Sequence, residues 1–150
     1  MPDAPARVLF ACIGNSARSQ MAEALLAARG GSAFAPASGG IVASGVHPLT
    51  IAVLAELGID WSGARSKPFR PMLEQSWDLV ITVCDEAAEA CPVIPSPTRV
   101  LHWDFPDPAM AIGTEAQRLA VFRSVRDRIA ARIDAFLAET AARPPSESVQ

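Results

Sequence analysis

Four short apolar runs alternate with helix-forming segments along this chain, and this alternation constrains the fold more than any other feature of the sequence. The third run is the clearest strand, because it is almost continuously apolar and rich in β-branched residues. Strands that alternate with helices are joined by right-handed crossovers, so we expect an α/β fold with a parallel sheet and helices on both faces. The predicted strands are Arg7–Ala11, Ser38–Ser44, Trp77–Val83 and Thr98–Trp103, and the predicted helices are Ser19–Ala28, Pro48–Leu57, Asp85–Ala90 and Thr114 to about Glu139.

The length and charge of the chain favour one soluble domain. We expect this domain to span residues 1–140 of the 150, followed by a polar, proline-containing tail at 141–150 that is disordered. The first residues lack the features of a signal peptide, and no apolar run approaches the roughly 18 residues of a membrane span, so we expect a cytoplasmic protein with no membrane contact. The net charge is −3, and the arginines from Arg118 to Arg132 fall on the polar side of an amphipathic helix. We therefore expect no nucleic-acid partner.

Chemically active residues follow three of the predicted strands. Cys12 comes after the first strand, Cys84 after the third, and the loop Asp104–Asp107 after the fourth. Ligands of such folds bind beyond the carboxyl ends of the strands, so we expect these positions to meet at one edge of the sheet. The chain has 3 cysteines, an odd number, and no export signal, so a structural disulfide framework is not expected and the thiols serve packing or chemistry.

The segment from Cys12 to Ser19 has the character of an anion-binding loop. The bare spacing C-x₅-R is a weak signal, but here it joins a strand to a helix. Backbone N–H groups, the helix N-terminus and the guanidinium of Arg18 can then all point at one oxyanion, and the same positive surroundings favour the thiolate of Cys12. Ser19 can donate a hydrogen bond to that thiolate, and Asn15 can adopt the left-handed conformation of a tight loop. We predict Cys12 as the nucleophile and an oxyanion site formed by Ile13, Gly14, Asn15, Ser16, Ala17, Arg18 and Ser19.

Five stretches of the sequence carry a resemblance to a known family. They are CIGNSARSQMAE, SGGIVASGVHP, GIDWSGARSK, WDLVITVCDEAAEACP and HWDFPDPA, all within residues 7–137. The sequence resembles the low-molecular-weight protein tyrosine phosphatases and the arsenate reductases related to them, and it is more similar to the thioredoxin-coupled reductases. The resemblance implies a four-stranded parallel sheet with strand order 2-1-3-4, an arsenate substrate that phosphate or sulfate can mimic, thioredoxin as partner, and no cofactor.

The resemblance also implies roles for the other two cysteines. In the reductases, the first cysteine attacks arsenic, a second displaces arsenite by forming a disulfide with the first, and a third takes over that disulfide and presents it to thioredoxin. Cys84 and Cys91 stand at the second and third positions, in the C-x₆-C stretch CDEAAEAC. A helix between them would hold their Cα atoms about 10 Å apart, too far for a disulfide, so we expect the segment to unwind on oxidation.

Asp107 is the predicted general acid. In the loop after the fourth strand, it can protonate the oxygen that leaves when Cys12 attacks. Asp104 is the weaker candidate, because it does not align with the acid of the family. We expect His47 and His102 to be structural, and without a C-x₂-C spacing we expect no metal site.

Two other functions are compatible with the sequence. The first is a low-molecular-weight protein tyrosine phosphatase that acts through a Cys12 phosphoenzyme. The chain has no tyrosine, however, whereas these phosphatases usually carry tyrosines just after the acidic Asp-Pro pair. The second is a non-catalytic thiol sensor for an oxyanion, which would need neither Asp107 nor turnover.

The sequence departs from the family pattern beside the loop. Some of the reductases bind potassium there, through residues that match Asn15, Glu23 and Ser38 and an aspartate at the position of Lys67. We expect the ammonium group of Lys67 to take the place of the ion's charge. The family's Ser-Ala-Gly is here Ser38-Gly39-Gly40.

Overall fold

The computed structural model describes residues 4–87, 89–94 and 99–142. Its strands are β1 (Ala6–Cys12), β2 (Phe34–Gly40), β3 (Leu79–Cys84) and β4 (Val100–Asp104), its α-helices are α1 (Arg18–Gly30), α2 (Pro48–Ala55) and α3 (Glu115–Ala142), and short 3₁₀ turns lie at Gly31–Ala33, Arg70–Glu74 and Pro108–Met110. All strand pairs are parallel, and the sheet has the order β2-β1-β3-β4. The predicted fold class and strand order are confirmed.

The two central strands form the middle of the core. Every residue of β3 is buried, and alternate residues of β1 point to opposite faces of the sheet. On one face, Val8, Phe10 and Ile81 pack in a large cluster with buried residues of all three α-helices. On the other face, Leu9 and Val80 form a smaller cluster with Trp77, against which the turn Arg70–Glu74 packs. Helical segments therefore cover both faces.

The long terminal helix α3 begins where the sequence predicts. Thr114 Oγ1 accepts a hydrogen bond from the Gln117 N–H at 3.1 Å, and Gln117 Oε1 accepts one from the Thr114 N–H at 2.8 Å. This reciprocal pair satisfies two N–H groups that the helix itself leaves unpaired. The helix runs slightly past the predicted end, to Ala142, and the rest of the predicted tail lies outside the described residues.

The second strand was predicted at the wrong position. The prediction was Ser38–Ser44, whereas β2 runs from Phe34 to Gly40. It pairs with β1 from Phe34 opposite Ala6 to Gly40 opposite Cys12. Pro36 argues against a strand by sequence, but it is tolerated here because β2 is an edge strand with a partner on one side only. Ile41, Val42 and Ser44 leave the sheet, and their N–H groups donate to the carbonyls of the predicted anion-binding loop.

The region between β3 and β4 also differs from the prediction. Residues 85–90 were predicted as a helix, but the described part of this segment forms only a turn, in which the Glu89 N–H donates to the Asp85 carbonyl at 2.8 Å. Strand β4 starts at Val100, and Thr98 lies outside the described residues. Within the ranges that the structure describes, the helices are too short or too polar to cross a bilayer.

Candidate active site

The loop between β1 and α1 is held in shape by the side chain of Asn15. This residue has φ of +52°, in the left-handed region that the sequence predicts for it, and it is fully buried. Its amide nitrogen donates to Ser19 Oγ at 2.8 Å and to Ser38 Oγ at 2.9 Å. Its amide oxygen accepts from Gln20 Nε2 at 2.9 Å and from the Lys67 N–H at 2.8 Å. All the bonding capacity of the amide is used, which fixes the loop against its surroundings.

Cys12 lies at the base of this loop with its sulfur in a polar setting. It is a free cysteine and almost completely buried. The Asn15 N–H points at its Sγ at 3.2 Å, and Ser19 Oγ lies 2.7 Å from the same sulfur. Because Ser19 Oγ already accepts from the Asn15 amide, its own hydrogen is free to be donated to Cys12. The sulfur therefore has two hydrogen-bond donors directed at it from the loop and from the start of α1.

Arg18 begins α1 and reaches into the same space. Its side chain is only 3 % exposed, and its Nη1 donates to the carbonyl of Phe105 at 3.2 Å. Its guanidinium pairs with both carboxylate oxygens of Glu89, with Nη2 2.8 Å from Oε2, and lies 3.6 Å from Asp107 Oδ2. Burial by itself lowers the pKa of Arg18, but the hydrogen bond with Glu89 and the charges of Asp107, Glu89 and Cys12 outweigh it and raise the pKa overall. Arg18 is therefore a fixed positive charge.

Asp107 lies in the same cavity as Cys12 and Arg18. It lies in the loop after β4, where Oδ1 accepts from the Ala109 N–H at 3.0 Å and so caps the turn Pro108–Met110. Its other oxygen, Oδ2, faces Arg18, and the residue lines the same cavity as Cys12. Asp104, the weaker candidate, is exposed and accepts instead from the Glu86 N–H at 2.9 Å.

A cavity of about 340 Å³ opens between these groups. Of the loop residues predicted from sequence, Asn15 and Ser19 lie behind the cavity as supports, and the others line it. The lining also includes residues that the sequence reasoning missed, and among them Glu89 is the charged one. The lining residues are Cys12, Ile13, Gly14, Ser16, Ala17, Arg18, Val42, Ser44, Glu89, Asp107 and Ala109.

The other two cysteines are joined. Cys84 and Cys91 form a disulfide with their Cα atoms 6.0 Å apart. Cys84 ends β3 and is fully buried, whereas Cys91 is partly exposed. The structure thus represents the oxidised form. The Cα–Cα distance of 6.0 Å is incompatible with an intact helix between the two cysteines, which would hold the Cα atoms about 10 Å apart. Strands β1 and β3 are parallel neighbours in the sheet. Cys12 and Cys84, the last residues of these two strands, therefore lie at the same edge of the sheet.

Cys84, Cys91 and His102 are the one group of possible metal ligands among the described residues, with donor atoms within 4.8 Å of one another. The two sulfurs are bonded to each other in this form, so they do not act as thiolate ligands. The His102 ring has structural partners, with Nδ1 2.8 Å from Thr82 Oγ1.

The other histidine, His47, caps α2 by accepting a hydrogen bond from the Leu49 N–H. Burial, followed by the charge of Arg118, lowers the pKa of His47.

A second polar cluster lies behind the loop. Ser38 Oγ donates to Glu23 Oε1 at 2.6 Å, and the Lys67 ammonium donates to the Arg65 carbonyl at 2.9 Å. Burial raises the pKa of Glu23, while the hydrogen bond from Ser38 and the positive charge of Lys67 partly oppose that rise. The ammonium of Lys67 itself bonds to the Arg65 carbonyl, and its replacement of a potassium ion beside Glu23 stays a prediction.

Comparison with known proteins agrees with this geometry. The family model described as low molecular weight phosphotyrosine protein phosphatase matches residues 7–145. An arsenate reductase of Halalkalibacterium halodurans is 46% identical over 133 residues, which is 89% of this chain and 95% of that protein. A solved arsenate reductase in its phosphate-binding state aligns with a TM-score of 0.74 and 35% identity over 89% of this chain and 98% of its own. A thioredoxin-dependent arsenate reductase of Corynebacterium glutamicum aligns with a TM-score of 0.68 and 28% identity, over 93% of this chain and 63% of its own.

These matches confirm the resemblance seen in the sequence. The family model covers nearly all of the described residues, including the loop from Cys12 to Ser19 and the segment with Cys84 and Cys91. The chain belongs to the low molecular weight phosphotyrosine protein phosphatase family.

Proposed function

We propose that this protein reduces arsenate to arsenite, with Cys12 as the nucleophile and a dithiol protein of the thioredoxin type as electron donor. The observation that carries the proposal is the state of the three cysteines. Cys12 is free at the base of the oxyanion cavity, while Cys84 and Cys91 are joined. This is the arrangement that a three-cysteine relay leaves behind after one turnover.

In the first step, arsenate binds the loop against Arg18, and the Cys12 thiolate attacks arsenic. A sulfur–arsenic bond forms, and one arsenate oxygen leaves as water with a proton from Asp107. In the second step, the Cys84 thiolate attacks the Cys12 sulfur. The sulfur–arsenic bond breaks, its electron pair stays on arsenic, and arsenic(V) becomes arsenic(III) in the departing arsenite.

In the third step, the Cys91 thiolate attacks Cys84 and releases Cys12 as a thiolate, which restores the nucleophile. The remaining Cys84–Cys91 disulfide must then accept two electrons from an external dithiol. Since Cys84 is fully buried and Cys91 is partly exposed, the incoming thiol reaches the Cys91 sulfur and Cys84 is the leaving group. The thioredoxin-dependent relative of Corynebacterium glutamicum supports a thioredoxin as this donor.

The test is arsenate-dependent oxidation of NADPH in the presence of thioredoxin and thioredoxin reductase, with hydrolysis of para-nitrophenyl phosphate measured in parallel. Cys12→Ser is expected to abolish both reactions. Cys84→Ser and Cys91→Ser are expected to abolish arsenate turnover alone, because ester hydrolysis needs only the loop and the acid. Normal arsenate turnover by Cys84→Ser would contradict the relay.

The same assays address a phosphatase as the second candidate. It is favoured by the presence of Cys12, Arg18 and Asp107 around one cavity, the set that hydrolysis through a phosphoenzyme requires. A phosphatase would hydrolyse the phosphoester rapidly and leave arsenate unreduced. A non-catalytic sensor would show neither reaction over multiple turnovers.

A further inference from the structure

In this oxidised form the carboxylate of Glu89 pairs with Arg18 in the cavity where the oxyanion is proposed to bind. Both of its oxygens meet the guanidinium of Arg18, in the side-by-side arrangement by which arginine also grips a tetrahedral oxyanion. Glu89 lines the same cavity as Cys12 and Asp107, and its side chain is only 19 % exposed. It therefore lies inside the site and not at its rim.

Glu89 lies in the segment that the disulfide closes. The residue lies between Cys84 and Cys91 in the chain, and the bond between these two closes the segment into a small ring. Within the ring, the Asp85 N–H donates to Glu89 Oε1 at 2.8 Å and the Glu89 N–H donates to the Asp85 carbonyl at 2.8 Å. A helical segment with its two cysteines about 10 Å apart would follow a different path.

Glu89 and an oxyanion would compete for the same two guanidinium nitrogens of Arg18. The hydrogen bonds from Arg18 outweigh the effect of burial and, together with the one from the Asp85 N–H, lower the pKa of Glu89, so it remains a carboxylate at neutral pH. A bound arsenate or phosphate would add negative charge beside this carboxylate and beside Asp107, in a cavity whose walls are largely buried. Unit charges of the same sign about 4 Å apart repel appreciably even near a protein surface.

We propose that Glu89 is a built-in competitor for the oxyanion, which closes the site when the Cys84–Cys91 disulfide forms and releases Arg18 when that disulfide is reduced. The inference rests on the oxyanion site of the proposed function, but not on the identity of the electron donor. This competition would make reduction of the disulfide precede the binding of the next arsenate. Oxidised enzyme has no thiol at Cys84 with which to complete a turnover, and Glu89 prevents it from binding arsenate unproductively.

The test is phosphate binding, measured by calorimetry on the reduced protein and on the oxidised protein whose Cys84–Cys91 disulfide has been verified by mass. Phosphate is used because it does not oxidise Cys12. In wild type, the reduced form is expected to bind at least about tenfold more tightly than the oxidised form, within the usual range of coupling between linked equilibria. In Glu89→Gln this ratio is expected to fall to within about twofold of unity.

Glu86→Gln is the matched control. It removes the same charge from the same segment, but its side chain is 69 % exposed and it lies near His102 instead of Arg18. We expect it to keep the wild-type ratio.

A second measurement does not depend on comparing affinities between variants. By linkage, saturating phosphate should shift the dithiol–disulfide equilibrium of wild type towards the dithiol by the same factor, and should leave that of Glu89→Gln unchanged.

The outcomes separate the two proposals. If reduced wild type binds phosphate and oxidised wild type binds it equally well, or if Glu89→Gln keeps the wild-type ratio, the role of Glu89 is refuted and the oxyanion site stands. If reduced wild type does not bind phosphate, the oxyanion site itself is refuted and the role of Glu89 with it.

Discussion

At the scale of single residues, the close approach of two backbone segments depends on Gly39. A Cβ atom at this position would lie 2.7 Å from Phe69 Cα and 2.9 Å from Phe69 N. The contacting atoms belong to the backbone, so no side-chain rotation can relieve them. Gly39 precedes Gly40, whose N–H donates to the Lys67 carbonyl at 2.7 Å, and Lys67 in turn supports Asn15. This is the place where the sequence has Ser-Gly-Gly instead of the family's Ser-Ala-Gly.

We predict that Gly39→Ala destabilises the protein by about 1–3 kcal/mol, as expected for overpacking of a close contact. Gly63→Ala is the control, because among the described residues no atom beyond its two chain neighbours lies within 4 Å of the added Cβ. Urea denaturation of the two variants and the wild type measures the effect. A Gly39→Ala variant as stable as wild type would mean that the segment at Phe69 moves away at no cost.

At the scale of elements, Glu56 joins α2 to α3. Immediately after α2, it accepts from Arg123 Nε at 3.0 Å and Nη2 at 2.6 Å, and from Arg126 Nη1 at 2.7 Å. Arg126 also donates to the Val53 carbonyl at 2.9 Å, so the contact spans both helices. The hydrogen bonds from Arg123, followed by those from Arg126, lower the pKa of Glu56 to about 2.

The sign of this shift gives a pH-dependent prediction. Because the folded pKa lies below the ordinary value of 4.5, the ion pairs contribute stability above about pH 4.5 and lose it as the pH falls towards about 2. Glu56→Gln should therefore melt at a lower temperature than wild type at pH 7, and the difference should shrink with acidification below pH 4.5. The exposed Glu74→Gln is the control and should show no such trend. A difference that stays constant down to pH 3 would argue against the ion pairs.

Elements were predicted well from sequence where the residues that determine them lie close together in the chain, and poorly where distant parts of the chain determine them. Thr114 and Gln117 lie one helical turn apart, so the start of α3 was found, and the apolar run of β3 identified a buried strand. Strand β2 was misplaced because Pro36 is compatible with a strand only at a sheet edge, which the local sequence does not reveal. The segment 85–90 was misjudged because its local sequence favours a helix, whereas the Cα–Cα distance of 6.0 Å across the Cys84–Cys91 disulfide is incompatible with one.

At the scale of the whole molecule, the segment between Cys84 and Cys91 is the part whose conformation we expect to change with the redox state. We predict that the amides of residues 85–92 exchange with solvent faster in the oxidised protein than in the reduced protein, where the segment can form a helix. Hydrogen exchange on both forms measures this, with the buried central part of α3 as an internal control that should not change. Equal protection of 85–92 in both forms would contradict the unwinding.

The sequence predicted those parts of the site whose position follows from the order of the parallel strands. Parallel strands bring their carboxyl ends together, so the sequence indicated that Cys12, Cys84 and the loop with Asp107 meet at one edge, and the structure places them there. The roles of these residues in catalysis stay predictions. Glu89 was not identified from the sequence, because its contact with Arg18 joins residues 71 positions apart and depends on the path of the segment that the disulfide closes.

The odd number of cysteines has a consequence for stoichiometry. A disulfide consumes sulfurs in pairs, so the protein, with 3 cysteines, always keeps one thiol however far its internal oxidation proceeds, and in this structure that thiol is Cys12. Each reduced molecule can therefore store one pair of electrons and no more. Without a donor, a reduced preparation would convert one equivalent of arsenate and then stop, and the size of that burst would count the active molecules.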